Sequence, residues 1–258
     1  MYSKSDIKKQ LKNIGIKNTD TVLIHTAFSK VGEVEGGPEG FIDAFCEYLS
    51  EGLFIIPTHT WNNVNAENPT YIVNKTIPCI GLIPTIAAKR NDGIRSLHPT
   101  HSIWAHGKNA HEFVSGEEFA TTPAPIGGAW WKLGGCNAKI LLIGVTHNRN
   151  TYIHAVDEIA GLDDRLAPHP WNVTVIDKNG NKLTHSFRNH HNTGSENFDN
   201  FEKAFIYYGA QTDGFIGDAK VKVIEASKCR DILLKIYAKT TENLCLTRCD
   251  LPEYLWKN

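Results

Sequence analysis

His154, Asp157 and Glu158 stand together in AKILLIGVTHNRNTYIHAVDE, residues 138–158. An apolar run from Ile140 to Val145, broken at Gly144, predicts a buried strand. A polar loop over 146–150 follows, and Thr151 opens a predicted helix. On a helix, a carboxylate three or four residues after a histidine shares its face and can hydrogen-bond to it. Imidazole is the side chain best suited to exchange a proton near neutral pH, and a carboxylate partner fixes its tautomer. A position just beyond the carboxyl end of a strand is also where open α/β sheets bind ligands. The segment reads either as acid–base machinery or as a structural histidine satisfied by its own helix.

Two further segments carry polar groups in unusual density. HTAFSKVGEVEGGPEG, residues 25–40, follows a strand, is rich in glycine and leads into a helix. The free N–H groups of that helix start suit a phosphate or pyrophosphate; the same residues also make an ordinary strand–helix loop turned at Gly36-Gly37. IRSLHPTHSIWAHG, residues 94–107, places Arg95, Ser96, His98, Thr100, His101 and Ser102 within eight positions. Here His98 either contacts a ligand or satisfies loop backbone. The twelve histidines, with His185, His190 and His191 on or after a predicted hairpin, raise a zinc or His-dependent hydrolase as a second function class. No HExxH occurs, and we assign no metal ligand. Walker A, GxGxxG after a strand and GxSxG are also absent.

Helix and strand signals alternate through most of the chain. Strands are expected at 21–26, 53–58, 101–107, 140–145 and 219–226. Helices are expected at 5–14, 38–50, 81–90, 109–115, 126–134, 197–209 and 227–239. WNVTVIDKNGNKLTHSF, residues 171–187, alternates apolar and polar residues around Asn179-Gly180, predicting a hairpin with a type I′ turn. We expect one α/β domain over residues 1–258: three layers, α/β/α, with a mixed sheet and an inserted antiparallel hairpin. The formal charge of −1, without a lysine or arginine cluster, argues against a nucleic-acid partner. The longest apolar runs are too short to span a bilayer. Six scattered cysteines without a Cys-x-x-Cys pair, and a polar start unlike a signal peptide, are expected of a cytoplasmic protein with reduced thiols. A homo-oligomer is left open.

Four segments in one order resemble the antibiotic (aminoglycoside 3-N-) acetyltransferase family, which is distinct from the GNAT acetyltransferases. They are VLIHTAFSKVGEVEGGPEGFIDAF, LFIIPTHTW, GLIPTIAAKRNDGIRSLHPTHSIWAHG and KILLIGVTHNRNTYIHAVDE, and the resemblance covers roughly residues 5–235. It implies acetyl-CoA as the cosubstrate and a primary amine, often on an amino sugar, as the acceptor. By the same resemblance His154 is the general base, and Asp157 holds the family's usual Glu position. His25, Thr26, Ser29, Lys30 and Gly32, with Arg95, Ser96, His98, Thr100, Ser102 and Thr151, would line the CoA site. Asn63, Glu158, His190 and His191 would meet the acceptor. The chain departs from the family at Ala27, where a second serine is usual, and at Gly128-Ala129, where Ser-Pro is usual. Residues 62–71 and 187–192 also carry fewer carboxylates than aminoglycoside-resistance members do. An aminoglycoside, carrying several ammonium groups, needs acidic partners. The acceptor is therefore either an aminoglycoside or another amine, such as a nucleotide-linked or phosphorylated amino sugar. A CoA-binding protein without catalysis is a third reading.

Overall fold

A computed structural model describes residues 1–240 and 242–257. Its strands are β1 (Thr21–Thr26), β2 (Leu53–Pro57), β3 (Thr70–Ile72), β4 (Ile94–Arg95), β5 (Ile103–Gly107), β6 (Lys139–Ile143), β7 (Trp171–Ile176), β8 (Lys182–Phe187), β9 (Gln211–Ile216) and β10 (Ala219–Glu225). Its helices are α1 (Lys4–Asn13), α2 (Gly37–Tyr48), α3 (Leu82–Ala87), α4 (Ala110–Val114), α5 (Ala129–Gly135), α6 (Tyr152–Ile159), α7 (Glu202–Tyr207), α8 (Ala226–Tyr237) and α9 (Glu253–Trp256).

The three most apolar runs form the centre of the main sheet, whose order is β4-β5-β2-β1-β6-β10-β9. There β1 pairs in parallel with β2 on one side and β6 on the other, while the outer pairings are antiparallel. Strands buried on both faces need apolar residues in succession, and β2 throughout and β6 from Ile140 onward supply them. Side chains alternate between two cores. Val22, Ile24, Phe54 and Ile56 pack with Ile7 and Leu11 of α1 and Phe41 and Phe45 of α2. Leu23, Ile55, Ile140 and Leu142 pack with Trp130 of α5, Ile153 of α6 and Leu233 of α8. This is the expected three-layer α/β/α arrangement with a mixed sheet.

The expected hairpin is β7 with β8, and it gains a third strand, because β3 lies parallel to β7. Tyr71, Val73, Val173, Val175 and Phe187 form its own small core. The turn differs from the expectation. A type I′ turn needs positive φ at both central residues, but only Gly180 has it, at 86°. Instead Asp177 N–H donates to the Asn181 carbonyl at 3.1 Å. The Asp177 carboxylate also accepts from Asn179 and Asn181 N–H at 2.8 and 2.9 Å. The loop is thus Lys178-Asn179-Gly180, with the glycine in the left-handed position. The Asp177 carboxylate favours this longer loop over the two-residue one.

Strand β9 was not expected, since Thr212, Asp213 and Gly214 interrupt its apolar pattern; it is an edge strand joined to β10 by a tight turn. The helix expected over 197–209 divides into a 3-10 segment, Ser195–Phe201, and α7. No helix is long and apolar enough to cross a membrane among the described residues.

Candidate active site

The parallel strands end on one side of the sheet, and their carboxyl ends open into a cavity of about 800 Å³. His25 and Thr26 come from the end of β1, His59 from just past β2, and Val145 from just past β6. This placement follows from alternation. Leu23 faces the α5–α6 layer, so His25 two residues on faces it too. His25 lies 6.3 Å from the Trp130 ring in a stacked arrangement. Helix α6 then adds Thr151 at its start and His154 one turn in, and the loop after β8 adds His190 and Thr193. Trp61, Ile80, Ile83 and Pro84 form an apolar part of the wall.

His154 is held from behind. Its Nδ1 lies 3.0 Å from Thr193 Oγ1 and 3.8 Å from Asp157 Oδ2. The first is a hydrogen bond; the second is an electrostatic contact beyond hydrogen-bond range. With Nδ1 engaged, Nε2 is the nitrogen left for the cavity. Asp157 is itself buried. Arg165 Nη1 lies 3.4 Å from its Oδ2, and the Cys245 thiol lies 3.8 Å away. Arg165 balances the carboxylate, which would otherwise be costly to keep ionised inside the protein.

The cavity histidines form a chain of rings. Centroids are 4.6 Å apart for His59 and His101, 5.1 Å for His101 and His190, and 4.3 Å for His190 and His154. Burial, followed by the neighbouring His190, pushes His154 down to about 4, with Asp157 opposing. Burial and then the Arg149 charge push His25 down to about 3. His59 and His101 are driven well below the ordinary histidine value by burial and by each other. Desolvation disfavours the charged ring, and neighbouring rings cannot all be cations. These four are neutral at pH 7, and a neutral ring can accept a proton. Among the described residues, the group whose ligand atoms converge closely enough for a metal is Cys46, Asp92 and His106, not the cavity histidines. There Arg90 already pairs with Asp92.

Of the residues singled out from the sequence, His25, Thr26, Thr151, His154 and His190 line the cavity, and Asp157 stands behind it. The others do not line it. Arg95 donates through Nη1 to the Val73 and Thr76 carbonyls at 2.9 and 2.7 Å and through Nη2 to Thr58 O at 3.2 Å. Its guanidinium stacks over Tyr71 at 5.3 Å, so in this structure it braces the two sheets against each other. His98 Nδ1 accepts from the N–H groups of Thr100 and His101 at 3.2 and 2.9 Å, while Nε2 meets the Thr122 carbonyl at 3.0 Å. Ser102 Oγ donates to Thr58 O at 2.7 Å. Ser96 Oγ accepts from Ile103 N–H at 3.1 Å, and Thr100 Oγ1 pairs with His101 Nδ1 at 2.9 Å. The polar density of 95–102 is therefore internal scaffolding that presents His101.

Ser29 and Lys30 are exposed beyond the cavity, and Gly32 packs against Asp218. Asn63 donates to Ile77 O at 2.8 Å, and His191 faces solvent. Glu158 accepts from Thr122 Oγ1 at 2.5 Å and Ala124 N–H at 2.8 Å, with His190 Nε2 at 3.6 Å. It holds the 121–124 loop rather than projecting into the cavity.

Sequence reasoning did not single out His59, Thr193, Arg149 or Arg165. His59 follows a predicted strand end, which was a usable signal. Nothing local ties Thr193 or Arg165 to His154. Glu117 was also missed. It is a buried carboxyl pushed up to about 7 by burial, with Ala129 N–H donating to it at 2.7 Å. A Cβ on Gly128 would lie 2.9 Å from Glu117 Oε1. Glycine at 128 leaves room for this carboxyl and Ala129 supplies an N–H that proline would lack, so Gly128-Ala129 suits it better than Ser-Pro would.

Fold and cavity together define an α/β protein with a histidine-lined ligand site at the carboxyl ends of its parallel strands. The chain belongs to the aminoglycoside 3-N-acetyltransferase family, whose profile matches residues 23–238. That family is one of acyltransferases. Among similar proteins is aminoglycoside N(3)-acetyltransferase IV of Salmonella sp, 25% identical over 160 residues, 62% of this chain and 60% of that protein. The SPbeta prophage-derived aminoglycoside N(3')-acetyltransferase-like protein YokD of Bacillus subtilis (strain 168) is 27% identical over 184 residues, 60% of this chain and 64% of that protein. The matches thus span under two thirds of either relative. The structure of AAC-IIIb in a binary complex with CoASH superposes with a TM-score of 0.80 at 18% identity, covering 92% of this chain and 96% of that one. At that identity the likeness is one of fold.

Proposed function

We propose that residues 1–258 act as one unit, an acetyl-CoA-dependent N-acetyltransferase that acylates a primary amine of an amino sugar, with His154 as general base. The observation that carries this reading is the state of His154: neutral, on the cavity wall, with Nδ1 engaged by Thr193 and Asp157 behind it. Family membership supplies the reaction class, and a relative of the same fold binds CoASH.

In this scheme the acceptor nitrogen attacks the thioester carbonyl of acetyl-CoA directly. The C–N bond forms, the C–S bond breaks and CoA leaves as a thiolate. The amine proton passes to His154 Nε2 and from there to the thiolate or to water, so no acyl-enzyme is needed. As the imidazolium forms, the Asp157 carboxylate stabilises it across the 3.8 Å gap. Thr26 Oγ1 and His25 Nε2 are buried without partners, which makes them candidates to donate to the developing oxyanion. The apolar wall at Trp61, Ile80 and Ile83 suits the pantetheine arm.

The test is thiol release from acetyl-CoA with a panel of amino sugars, on the wild type and His154→Asn. Removing a positioned base should lower kcat by about 10²–10⁴-fold, with the Kd for CoA, read by calorimetry, within about twofold of wild type. Near-normal turnover in His154→Asn removes it as the base. No CoA binding by the wild type removes the transferase reading.

A further inference from the structure

The cavity wall is notable for its charge. Asp and Glu are absent from its lining, and Arg149 is present. Arg149 is solvent-exposed where it lines the cavity; among the described residues its side chain makes no hydrogen bond or ion pair, and its charge acts on His25. In the same lining, His25 Nε2 and His59 Nε2 are buried and lack hydrogen-bond partners among the described residues, and His190 Nε2 is buried with Glu158 Oε1 at 3.6 Å, beyond hydrogen-bond range. Asn148, Asn150 and Asn189 add amides to the same lining. Behind the wall, Asp157 is engaged with Arg165, and Glu158 with Thr122 and Ala124 and, at 3.6 Å, with His190. Such a site offers amide N–H groups, imidazole nitrogens that donate in the Nε2–H tautomer, and one cation. A polycationic acceptor would lose the hydration of each ammonium without finding a carboxylate in the lining, and would share the cavity with the Arg149 charge. An anionic group would meet charge-assisted donors, and a guanidinium can grip a phosphate or carboxylate through two parallel bonds.

From the unpaired Arg149, the partnerless imidazole nitrogens and the absence of carboxylates in the wall, we infer that the acceptor is a mono-amine bearing an anionic group, such as an amino-sugar phosphate, and not a polycationic aminoglycoside. This rests on the transferase reading above and narrows its acceptor. The anion sits against Arg149, and the single amine faces His154. The phosphates of CoA are the competing occupants of Arg149, so the experiment must separate the two.

The Kd values of glucosamine 6-phosphate, glucosamine and gentamicin are measured by calorimetry on the full chain saturated with CoA. The expected result is glucosamine 6-phosphate binding at least tenfold more tightly than either other compound, with that margin falling to threefold or less in Arg149→Ala. Gentamicin binding as tightly as the phosphate, failure of the phosphate to bind, or a margin that survives Arg149→Ala each overturns the inference. A margin that survives while Arg149→Ala weakens CoA assigns the guanidinium to CoA. Failure of CoA itself to bind sinks the transferase reading instead, and is seen before any acceptor is added.

Discussion

Acidification from pH 6.5 to 5 should remove a large part of this protein's stability. Burial holds His25 and His98 at about 3 and His154 at about 4, against an ordinary value of 6.5. Each ring stays neutral in the fold through that window and takes up a proton when the chain unfolds. Stability therefore falls as pH falls below 6.5, by about 1.4 kcal/mol per pH unit for each ring. Glu117 acts in the opposite direction. Its carboxyl, raised to about 7 in the fold, is protonated there and ionised in the unfolded chain, so it favours the fold as pH drops toward 4.5. Three imidazoles against one carboxyl leave a net uptake of about two protons on unfolding. Because an unfolded imidazole is only half protonated at pH 6.5, over the 1.5 pH units this is about 3 kcal/mol, set against total stabilities of about 5–15 kcal/mol for a domain. His59, His101 and His147 are also shifted downward by burial and add to the loss. Urea unfolding at pH 6.5 and 5.0, followed by fluorescence of the six tryptophans, reads it directly. The extrapolated stability should drop by at least about 3 kcal/mol at nearly constant m-value. A midpoint that stays fixed or rises on acidification would mean the histidines are charged in the fold, and would refute the reasoning.

Two substitutions separate scaffold from site. Arg95→Ala leaves the Val73 and Thr76 carbonyls without their donor, while Thr58 O keeps Ser102 Oγ, and should cost about 2–4 kcal/mol in urea unfolding. The KM for acetyl-CoA should stay within about twofold; a raised KM with unchanged stability would place Arg95 on the CoA phosphates after all. Ala129→Pro keeps a residue that the first turn of α5 tolerates but deletes the N–H that donates to Glu117 at 2.7 Å. Stability should fall by about 1–3 kcal/mol, and the deficit should grow above pH 7 as the carboxyl ionises without its donor. A deficit equal at pH 6 and pH 8 would mean that the bond does not stabilise the charged form.

Much of the central sheet was legible because its strands are short apolar runs. β1, β2 and β6 lie close to where the runs predicted them, and α6 follows its strand at the expected loop. β9 was not legible. Its register depends on β10, and an edge strand can carry polar residues and a glycine that a buried strand cannot. β3 is three residues long and gains its meaning only by pairing with β7, a hundred positions away. The block at 95–102 shows the commoner error. Arg95, Ser96, His98 and Ser102 are hydrogen-bonding residues in the sequence, yet most of their bonds close within the protein. A sequence displays the donors and conceals the acceptors.

For the candidate site, the sequence alone determined His154 and its i+3 carboxylate, since helical spacing is a local property. It also showed, through the resemblance, the family to which the chain belongs. Tertiary structure decided the rest. Three parallel strands ending on one side bring residues near 25, 59 and 145 to one cavity, and the loop after β8 closes it with His190 and Thr193. It put Arg165 behind Asp157, gathered the histidines into a chain of rings and left Arg149 without a partner among the described residues. These are contacts between segments far apart in the chain. Their energies depend on burial and mutual distance, quantities that exist only once the sheet has formed.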